Sequence, residues 1–536
     1  MNQASTAGAA ALPLSTSGRR SNRKNAAAYL LFALLAVVIV GLHTVHFQGR
    51  PFRQDEAWIV QGALYRDGAQ DITRWVSVNI HPPLWVMAAN AWVDVLGHSE
   101  TIVRTLSGLI TLLALALLFR LGADLAGSPR SPIPFIALAL LSTSTYYQFY
   151  THEFRPYPAL AACALALALT FLRWLRRPNF RRALLFVASG VTALYVHFFA
   201  VYVLGALAIF FLLFVRWRWR WPLALRALGL FVAIGLSYLG WLLPFLNAVL
   251  VATPGGIDYA LGTGATVLTR IYRGVSLRPL DVSSFLAVTS LLVPVGLALG
   301  SRTPAPPDND RLFRVDPEWR KMLPLIVIVG VVLLSFVVNT VVSNLTLRSL
   351  VLLVPFGALF LAFGVAALPR VAWFGLALLL LPSTFAFVDQ EYPGPQNEVA
   401  AFIAPGYQPG SPIIMNITYV PRHVAVLYYV QERMGATIPK ELIWQVILPN
   451  QAYTDFMPYE PVNLMHDAGP ASLDALGRFL DEVDREQVWL INRNSENSGG
   501  SRITEGILSV LARRYEPVNH REWEDEYAVI EFRRRE

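Results

Sequence analysis

Long uncharged runs of apolar residues recur along the chain up to about residue 390. A helix needs roughly 20 apolar residues to cross the about 30 Å of hydrocarbon in a bilayer, so each run is a candidate crossing. The pattern predicts a polytopic α-helical membrane protein. The runs lie at 25–48, 105–119, 131–152, 156–172, 183–215, 227–257, 282–301, 322–347, 349–369 and 371–388.

The run at 183–215 is too long for one helix, and it lies between basic clusters at 173–182 and 216–221. Lys and Arg favour the cytoplasmic side, so two cytoplasmic clusters require the run to cross twice, with a turn at 195–197. This brings the prediction to about eleven transmembrane helices. The same rule places the N-terminus, with a disordered tail at 1–24, in the cytoplasm and the C-terminus outside.

Composition changes at about residue 390, where prolines and glycines punctuate a more polar chain. Short strand-like runs alternate there with helical patterns, which favours a layered α/β domain. We therefore predict a transmembrane domain at 25–389 and a soluble, extracytoplasmic α/β domain at 390–536. The strand-like runs lie at 413–417, 488–491 and 527–532, and the helical patterns at 397–404, 423–433 and 472–483.

The overall composition fits a lipid environment. Hydrophobic residues make up 55% of the 536 residues, and charged residues only 15%. The single cysteine, Cys163, excludes disulfides and zinc-thiolate sites within one chain. The net charge of +8 comes largely from Arg residues at the ends of apolar runs. The Arg-Trp alternation at 216–221 could bind nucleic acid or anionic lipid, but it is typical of an interfacial membrane anchor, so we expect no nucleic-acid partner.

The longest predicted outer connection, at 49–101, carries Asp55-Glu56 near its start and His81-Pro82-Pro83-Leu84 in its middle. Asp55 is a plausible N-cap for a helix at 57–65, and the two prolines open a second helix that runs to residue 95. Both helices are expected to lie in the membrane interface. Taken alone, Asp55 and Glu56 fit a capping pair better than a catalytic pair.

A second group of polar residues, at 150–157, lies between two apolar runs with almost no room for a loop. It contains His152, Glu153 and Arg155, which could form a structural ion pair or line a polar cavity. Arg348 and His197 fall in predicted outer turns, where each could be structural or functional. All these residues fall on the outer side of the predicted topology. A carboxylate there could accept a proton from a hydroxyl group, while Arg residues hold a phosphate.

In the order and spacing of these motifs, the chain resembles the C-type glycosyltransferases of the protein O-mannosyltransferase superfamily, family 39, in its bacterial branch. The resemblance covers residues 25 to about 390. It rests on Asp55-Glu56, His81-Pro82-Pro83-Leu84, the Glu-x-Arg-x-Tyr motif at 153–157 and Leu-Tyr-Val-His-Phe at 194–198.

The resemblance implies that Asp55 is the catalytic base, with Glu56 beside it. It implies that Glu153, Arg155 and Tyr157 shape the donor site, and Arg348 could join them in holding the donor phosphate. The histidines His81, His152 and His197 are candidates for the substrate site. The family commonly has Gln before the motif Glu and a small residue after it, whereas this chain has His152 and Phe154.

The implied reaction transfers a sugar from a polyprenyl-phosphate donor, with inversion, to an acceptor on the outer face of the plasma (inner) membrane. The acceptor could be a glycan, a lipid or a protein. We expect no obligatory cofactor, although a divalent metal remains an option, and we assign no metal ligands. Two other functions fit the same pattern: a transporter or flippase for lipid-linked sugars, and a non-catalytic member of the superfamily.

Overall fold

The structure is a computed structural model that describes residues 50–64, 82–252, 320–339, 348–369, 396–446, 463–492, 498–523 and 527–536, apart from a few positions within these ranges, together with isolated positions at 30–41. His81 and the predicted crossings at 282–301 and 371–388 lie outside the described residues, as does nearly all of the first crossing at 25–48.

The described residues between 50 and 96 form two helices. They are α1 (Gln54–Leu64) and α2 (Pro83–Leu96), and both were predicted. The prediction of Asp55 as N-cap is wrong, because α1 already begins at Gln54, before Asp55. The Arg53 carbonyl accepts hydrogen bonds from the backbone N–H groups of Glu56 and Ala57, at 2.9 and 3.0 Å. The Glu56 carboxylate reaches back to the Arg53 N–H at 2.9 Å, as in a capping box, so Asp55 lies inside the first turn.

The remaining helices of this part of the chain, in order, are α3 (Glu100–Ala126), α4 (Pro132–Ser142), α5 (Thr145–His152), α6 (Tyr157–Arg176), α7 (Phe180–Val196), α8 (Ala200–Phe214), α9 (Trp217–Ser237), α10 (Leu239–Ala252), α11 (Met322–Asn339), a 3-10 helix (Arg348–Leu353) and α12 (Val354–Ala366). Among the described residues, four helices are long and apolar enough to cross a membrane: α3, α6, α11 and the continuous Arg348–Ala366 helix. Leu184, Leu212 and Leu333 are each more than half exposed, as expected of helices that face lipid.

The predicted break in the run at 183–215 is confirmed, because α7 ends at Val196 and α8 begins at Ala200. Two runs predicted as single helices are broken instead. The run at 131–152 forms α4 and α5, since the Ser144 hydroxyl accepts the Tyr147 N–H at 3.2 Å and starts a new helix. The run at 227–257 is interrupted at Tyr238. The Ser237 carbonyl there accepts a hydrogen bond from the Tyr195 hydroxyl at 2.7 Å.

The C-terminal part of the chain forms a six-stranded sheet in the order β3-β2-β1-β4-β6-β5, in which β1 to β4 run parallel and β5 and β6 antiparallel. Its helices cover both faces, with α13 and α14 on one and α15 and α16 on the other. The predicted elements are confirmed here. In chain order the elements are α13 (Gln396–Ile403), β1 (Ile413–Asn416), α14 (Val420–Met434), β2 (Ile443–Val446), β3 (Asn463–Met465), α15 (Pro470–Val483), β4 (Gln487–Asn492), α16 (Ser498–Leu511), β5 (Tyr515–Trp523) and β6 (Tyr527–Arg534).

Helix α14 joins the sheet region to α1 and α2. The buried residues Phe52, Trp85 and Phe154 belong to the same hydrophobic cluster as Tyr428 and Trp489. Phe52 packs edge-on against Tyr428, with ring centroids 5.1 Å apart. The start of α1 is therefore held between the apolar helices and the sheet region.

Candidate active site

Five charged residues meet beside the first turn of α1: Arg53, Asp55, Glu153, Arg155 and Arg348, which we call the Asp55 cluster. Asp55 Oδ2 forms a close ion pair with Arg348 Nη1 and lies 3.9 Å from Arg155 Nη2. Arg53 Nη1 forms a close ion pair with Glu153 Oε1. Four of these residues were predicted as site residues from three separate segments, and the structure brings them together.

Each segment reaches the cluster for a local reason. Asp55 lies on the exposed side of the α1 first turn, whereas Glu153 and Arg155 occupy the short connection between α5 and α6. The Glu153 carbonyl accepts a hydrogen bond from the Ser107 hydroxyl at 2.8 Å, which fixes this connection against α3. Arg348 begins the 3-10 helix, whose next five residues are all buried. The apolar packing therefore leaves the Arg348 guanidinium at the edge of the helical bundle.

Glu56 points the other way, into a sealed arrangement that we call the Glu56 brace. Its carboxylate accepts two hydrogen bonds from the Arg104 guanidinium, at 2.8 and 3.1 Å. It also accepts the backbone N–H groups of Arg53 and Phe154, at 2.9 and 2.8 Å. Arg104 donates further to the carbonyls of Arg50 and Pro51. Glu56 is 1% exposed, so this arrangement favours a structural role over the predicted catalytic one.

Burial and charge shift the pKa values of the carboxylates in different directions. Burial opposes the ionisation of Asp55, but the charges of Arg155, Arg348 and Arg53 outweigh it and hold the Asp55 pKa well below its usual range. Burial likewise opposes the ionisation of Glu56, and Arg104 reverses the effect, so the Glu56 pKa is lowered. For Glu153 burial prevails over the attraction of Arg53 and Arg348, and its pKa is raised.

Tyr157 and His197 form the wall next to Arg155. The Arg155 guanidinium lies over the Tyr157 ring, 5.9 Å from its centroid, and the Tyr157 and His197 ring centroids are 6.4 Å apart. His197 Nδ1 accepts the Phe199 N–H at 3.2 Å. Burial, together with the charge of Arg155, lowers the His197 pKa to about 3, so the ring is neutral at pH 7.

The other two histidines predicted for the substrate site, His152 and His81, are not placed in this wall by the described structure. His152 is buried, and its Nδ1 lies 2.7 Å from the Gln148 carbonyl one turn earlier in α5, an arrangement typical of a local structural contact. His81 lies outside the described residues.

Two arginines of these arrangements were not predicted from the sequence. Arg53 belongs to the Asp55 cluster, and its guanidinium also lies 4.9 Å from the centroid of the Phe149 ring. Arg104 completes the Glu56 brace. The available signal for Arg104 was a charge directly before the apolar run at 105–119, since a charge at this position needs a partner. Arg53 could have been found from its position two residues before Asp55.

The cluster combines two chemical capacities. Asp55 is a carboxylate whose side chain is 26% exposed, so it can reach a hydroxyl group that enters from outside. The side chains of Arg53 and Arg348 are 30% and 29% exposed, and they offer forked N–H donors next to that carboxylate. Three guanidinium groups face two carboxylates, which leaves positive charge for an anion.

Comparison with known proteins identifies the fold. No protein-family profile and no curated protein matches the chain. Among solved structures, ArnT from Cupriavidus metallidurans in the apo state has a TM-score of 0.62 at 13% identity, over 94% of this chain and 97% of ArnT. The same protein bound to undecaprenyl phosphate gives a TM-score of 0.60 at 13% identity, with the same shares of both chains.

A second solved relative is the arabinofuranosyltransferase AftD from Mycobacteria, with a TM-score of 0.52 at 15% identity, over 94% of this chain and 40% of AftD. The archaeal oligosaccharyltransferase AglB from Archaeoglobus fulgidus, in complex with an inhibitory peptide and a dolichol-phosphate, gives 0.50 at 12% identity, over 95% of this chain and 74% of AglB. These proteins are glycosyltransferases of the C-type fold. The chain therefore has the C-type glycosyltransferase fold, as the motif resemblance implied.

Proposed function

We propose that the protein is a membrane glycosyltransferase that moves a sugar from a polyprenyl-phosphate carrier to an acceptor hydroxyl group. Asp55 is the general base, and Arg53, Arg155 and Arg348 bind the carrier phosphate. The observation that carries the proposal is the Asp55 cluster itself, in which one accessible carboxylate lies among three guanidinium groups.

The reaction is a single displacement. The acceptor oxygen attacks the anomeric carbon of the donor sugar, and the bond from that carbon to the phosphate oxygen breaks. The bonding electron pair leaves with the phosphate, whose growing charge the guanidinium groups stabilise. The acceptor proton passes to the Asp55 carboxylate. Attack opposite the leaving group inverts the anomeric carbon.

Donor binding also prepares the base. A carboxylate with a strongly lowered pKa is a weak base, because its proton affinity is small. A phosphate held by Arg348 and Arg155 would draw those charges away from Asp55 and add a negative charge nearby. Both changes raise the Asp55 pKa toward its usual value. Asp55 would thus become an effective base only when the donor is in place.

Two solved relatives support the donor class. One C-type relative was solved with undecaprenyl phosphate and another with a dolichol-phosphate. The Glu56 brace acts as a positioning device that fixes the turn from which Asp55 extends.

We also propose that about eleven helices cross the plasma membrane. In this topology the N-terminus is cytoplasmic, and residues 390–536 form an extracytoplasmic domain.

The test is transfer of radiolabelled sugar from a panel of polyprenyl-phosphate sugars to membrane extract, catalysed by the purified protein in nanodiscs. We expect transfer from at least one donor and a loss of at least about a hundredfold in Asp55→Asn. Asp474→Asn, the same change at an exposed position on α15, is the control and should transfer normally. Lipid-sugar binding without transfer by the wild type would instead favour a transporter or a non-catalytic protein.

A further inference from the structure

A cavity of about 680 Å³ lies in the C-terminal region, between α13 and the antiparallel end of the sheet. None of its lining residues belongs to the Asp55 cluster. We call it the Trp489 pocket after the fully buried ring beneath it. Its size falls within the range of small-molecule sites.

The sheet supplies the floor of the Trp489 pocket. Trp489 on β4 is paired with Glu531 on β6, and Glu531 is paired with Asn519 on β5, so the three residues form one row across neighbouring strands. Residues paired in this way point to the same face of a sheet. The register of β5 shifts between Pro517 and Asn519, a bulge that alters how side chains project at this edge.

Helix α13 supplies the wall. Its Val399 and Ala400 are buried against the rest of the protein, whereas Glu398 and Phe402 line the pocket. The Phe402 ring meets the rings of Trp489 and Trp523 edge-on, with centroids 6.0 and 5.9 Å apart. The pocket therefore has an aromatic side built from two separate segments.

Polar groups stand next to these rings. Glu531 is only 5% exposed, and its Oε1 accepts hydrogen bonds from Gln487 Nε2 at 2.8 Å and Arg533 Nε at 3.2 Å. Glu398 Oε2 accepts the Trp523 Nε1–H at 2.9 Å. The Trp489 Nε1 donor is buried and has no hydrogen-bond partner in the described part of the protein. A buried donor in this state is costly unless a ligand or water accepts it.

Gly406 keeps the space above the floor open. A Cβ atom at this position would lie 3.3 Å from Trp489 Cζ2 and 3.9 Å from Glu531 Oε2. Any larger side chain would therefore occupy the volume directly over the aromatic ring and the carboxylate. The glycine leaves room for a ligand group beside the Glu531 carboxylate, above the fully buried Trp489 ring.

The lining indicates the chemistry of the ligand. The partly exposed Phe402 ring offers apolar surface to the C–H groups of a sugar ring, and the neighbouring carboxylates and amide accept hydrogen bonds from its hydroxyl groups. The carboxylates Glu398 and Glu531 are balanced by Arg521 and Arg533, so the lining has no excess of positive charge to bind a phosphate or another anion. We propose that the Trp489 pocket is a carbohydrate-binding site that holds a sugar residue of the acceptor.

The pocket is connected to the Asp55 cluster through α14. Helix α13 packs on α14, and α14 carries Tyr429, whose hydroxyl accepts the Phe52 N–H and donates to Glu100 Oε1 at 2.9 Å. Phe52 lies three residues before Asp55. An acceptor glycan held in the pocket would thus be anchored on the element that packs against the catalytic turn. This role for the pocket rests on the proposed function, whereas carbohydrate binding itself does not.

The test is calorimetric titration of the full-length protein in nanodiscs with maltotriose, mannotriose, arabinotriose and chitotriose. We expect at least one to bind with a Kd on the order of 1 mM. Glu531→Gln should weaken binding about tenfold, the loss expected for one hydrogen bond to a charged group. Gly406→Val should abolish it by filling the pocket. Glu482→Gln, at an exposed position on α15, is the matched control and should bind normally.

Absence of binding by all four oligosaccharides at about 10 mM, well above that Kd, would overturn the proposal. Binding that neither Glu531→Gln nor Gly406→Val weakens would also overturn it. Transfer measurements separate the two proposals. Glu531→Gln should raise the acceptor KM and leave the donor KM unchanged, whereas Asp55→Asn should bind the oligosaccharide normally. Binding by a wild type that transfers from no donor would contradict the proposed function alone.

Discussion

Asp55 and Glu56 are consecutive residues in the first turn of one helix, yet their surroundings differ in kind. Glu56 is 1% exposed, and both of its oxygens are occupied by Arg104 and by backbone N–H groups. Asp55 is 26% exposed and meets two arginines through a single oxygen. A carboxylate whose hydrogen bonds are all made inside the protein stabilises the fold. An accessible carboxylate beside several cations can give up these ion pairs and contact a substrate.

The arginines show the same contrast. Arg104 binds Glu56 and two backbone carbonyls, so most of its N–H donors have partners within the protein. Arg53 and Arg348 each make one close ion pair and keep nearly a third of the side chain exposed. Substitutions in the Glu56 brace should therefore affect stability most, and substitutions in the Asp55 cluster should affect transfer most.

The largest effect on stability is expected for Glu56→Ala. It leaves the Arg104 guanidinium buried without its carboxylate, and breaking a buried ion pair in this way costs about 3–5 kcal/mol of unfolding free energy. Thermal unfolding in detergent, followed by tryptophan fluorescence, measures the effect as a fall in Tm. Glu482→Ala on the surface of α15 is the control. Equal Tm values for the two variants would show that the Glu56 brace does not stabilise the fold.

Arg348→Ala should weaken the donor site. The loss of one charged hydrogen-bond donor to phosphate corresponds to about a tenfold to hundredfold rise in the donor KM. Arg348→Lys should restore binding only in part, because a lysine cannot form the two parallel hydrogen bonds of a guanidinium group. Steady-state kinetics with varied donor concentration measure both variants. An unchanged donor KM in Arg348→Ala would remove Arg348 from the phosphate site.

Tyr429→Phe tests whether α14 positions the catalytic turn. The variant loses the hydrogen bonds of the hydroxyl to Glu100 and to the Phe52 N–H, each worth about 1 kcal/mol. We expect a several-fold loss of transfer. In the control, Tyr515→Phe, the lost hydroxyl donates to the Arg485 carbonyl within the sheet region. Equal transfer by both variants would place α14 outside the catalytic arrangement.

The smallest effect concerns pH. Because the Asp55 pKa is lowered, the free enzyme keeps this base ionised at neutral pH and well into the acid range. Because Asp55 stays ionised over this range, we expect kcat/KM to change by less than about twofold between pH 7 and pH 5. Glu153, whose pKa is raised, titrates first on acidification. The dependence of kcat/KM on pH should therefore be measured in Glu153→Gln, which lacks the titration of Glu153. A fall in kcat/KM of this variant on acidification above pH 5 would contradict the lowered Asp55 pKa.

Much of the site was predictable because its chemistry lies at the ends of apolar runs. The positions of Asp55, Glu153, Arg155 and Arg348 relative to those runs placed all four on one side of the membrane, and the structure brings them together. The break at His197 was predictable because a basic cluster flanks each end of the run.

Other features depend on contacts that a single sequence does not reveal. The breaks at Ser144 and Tyr238 coincide with side-chain hydrogen bonds to the backbone, within runs that contain no Asp, Glu, Lys or Arg. Strand β5 escaped prediction because seven of its nine residues are exposed, which leaves little apolar alternation. The roles of Asp55 and Glu56 could not be separated, since only the fold shows that Arg104 lies beside one of them.

The most direct test compares Asp55→Asn with Glu56→Gln in one experiment that records Tm and the single-turnover transfer rate at saturating donor. We predict that Asp55→Asn keeps a Tm close to that of the wild type and loses at least about a hundredfold in rate. Glu56→Gln should lower the Tm and keep most of the rate per folded molecule. Wild-type transfer by Asp55→Asn, or loss of rate without loss of stability in Glu56→Gln, would contradict the separation of the two roles.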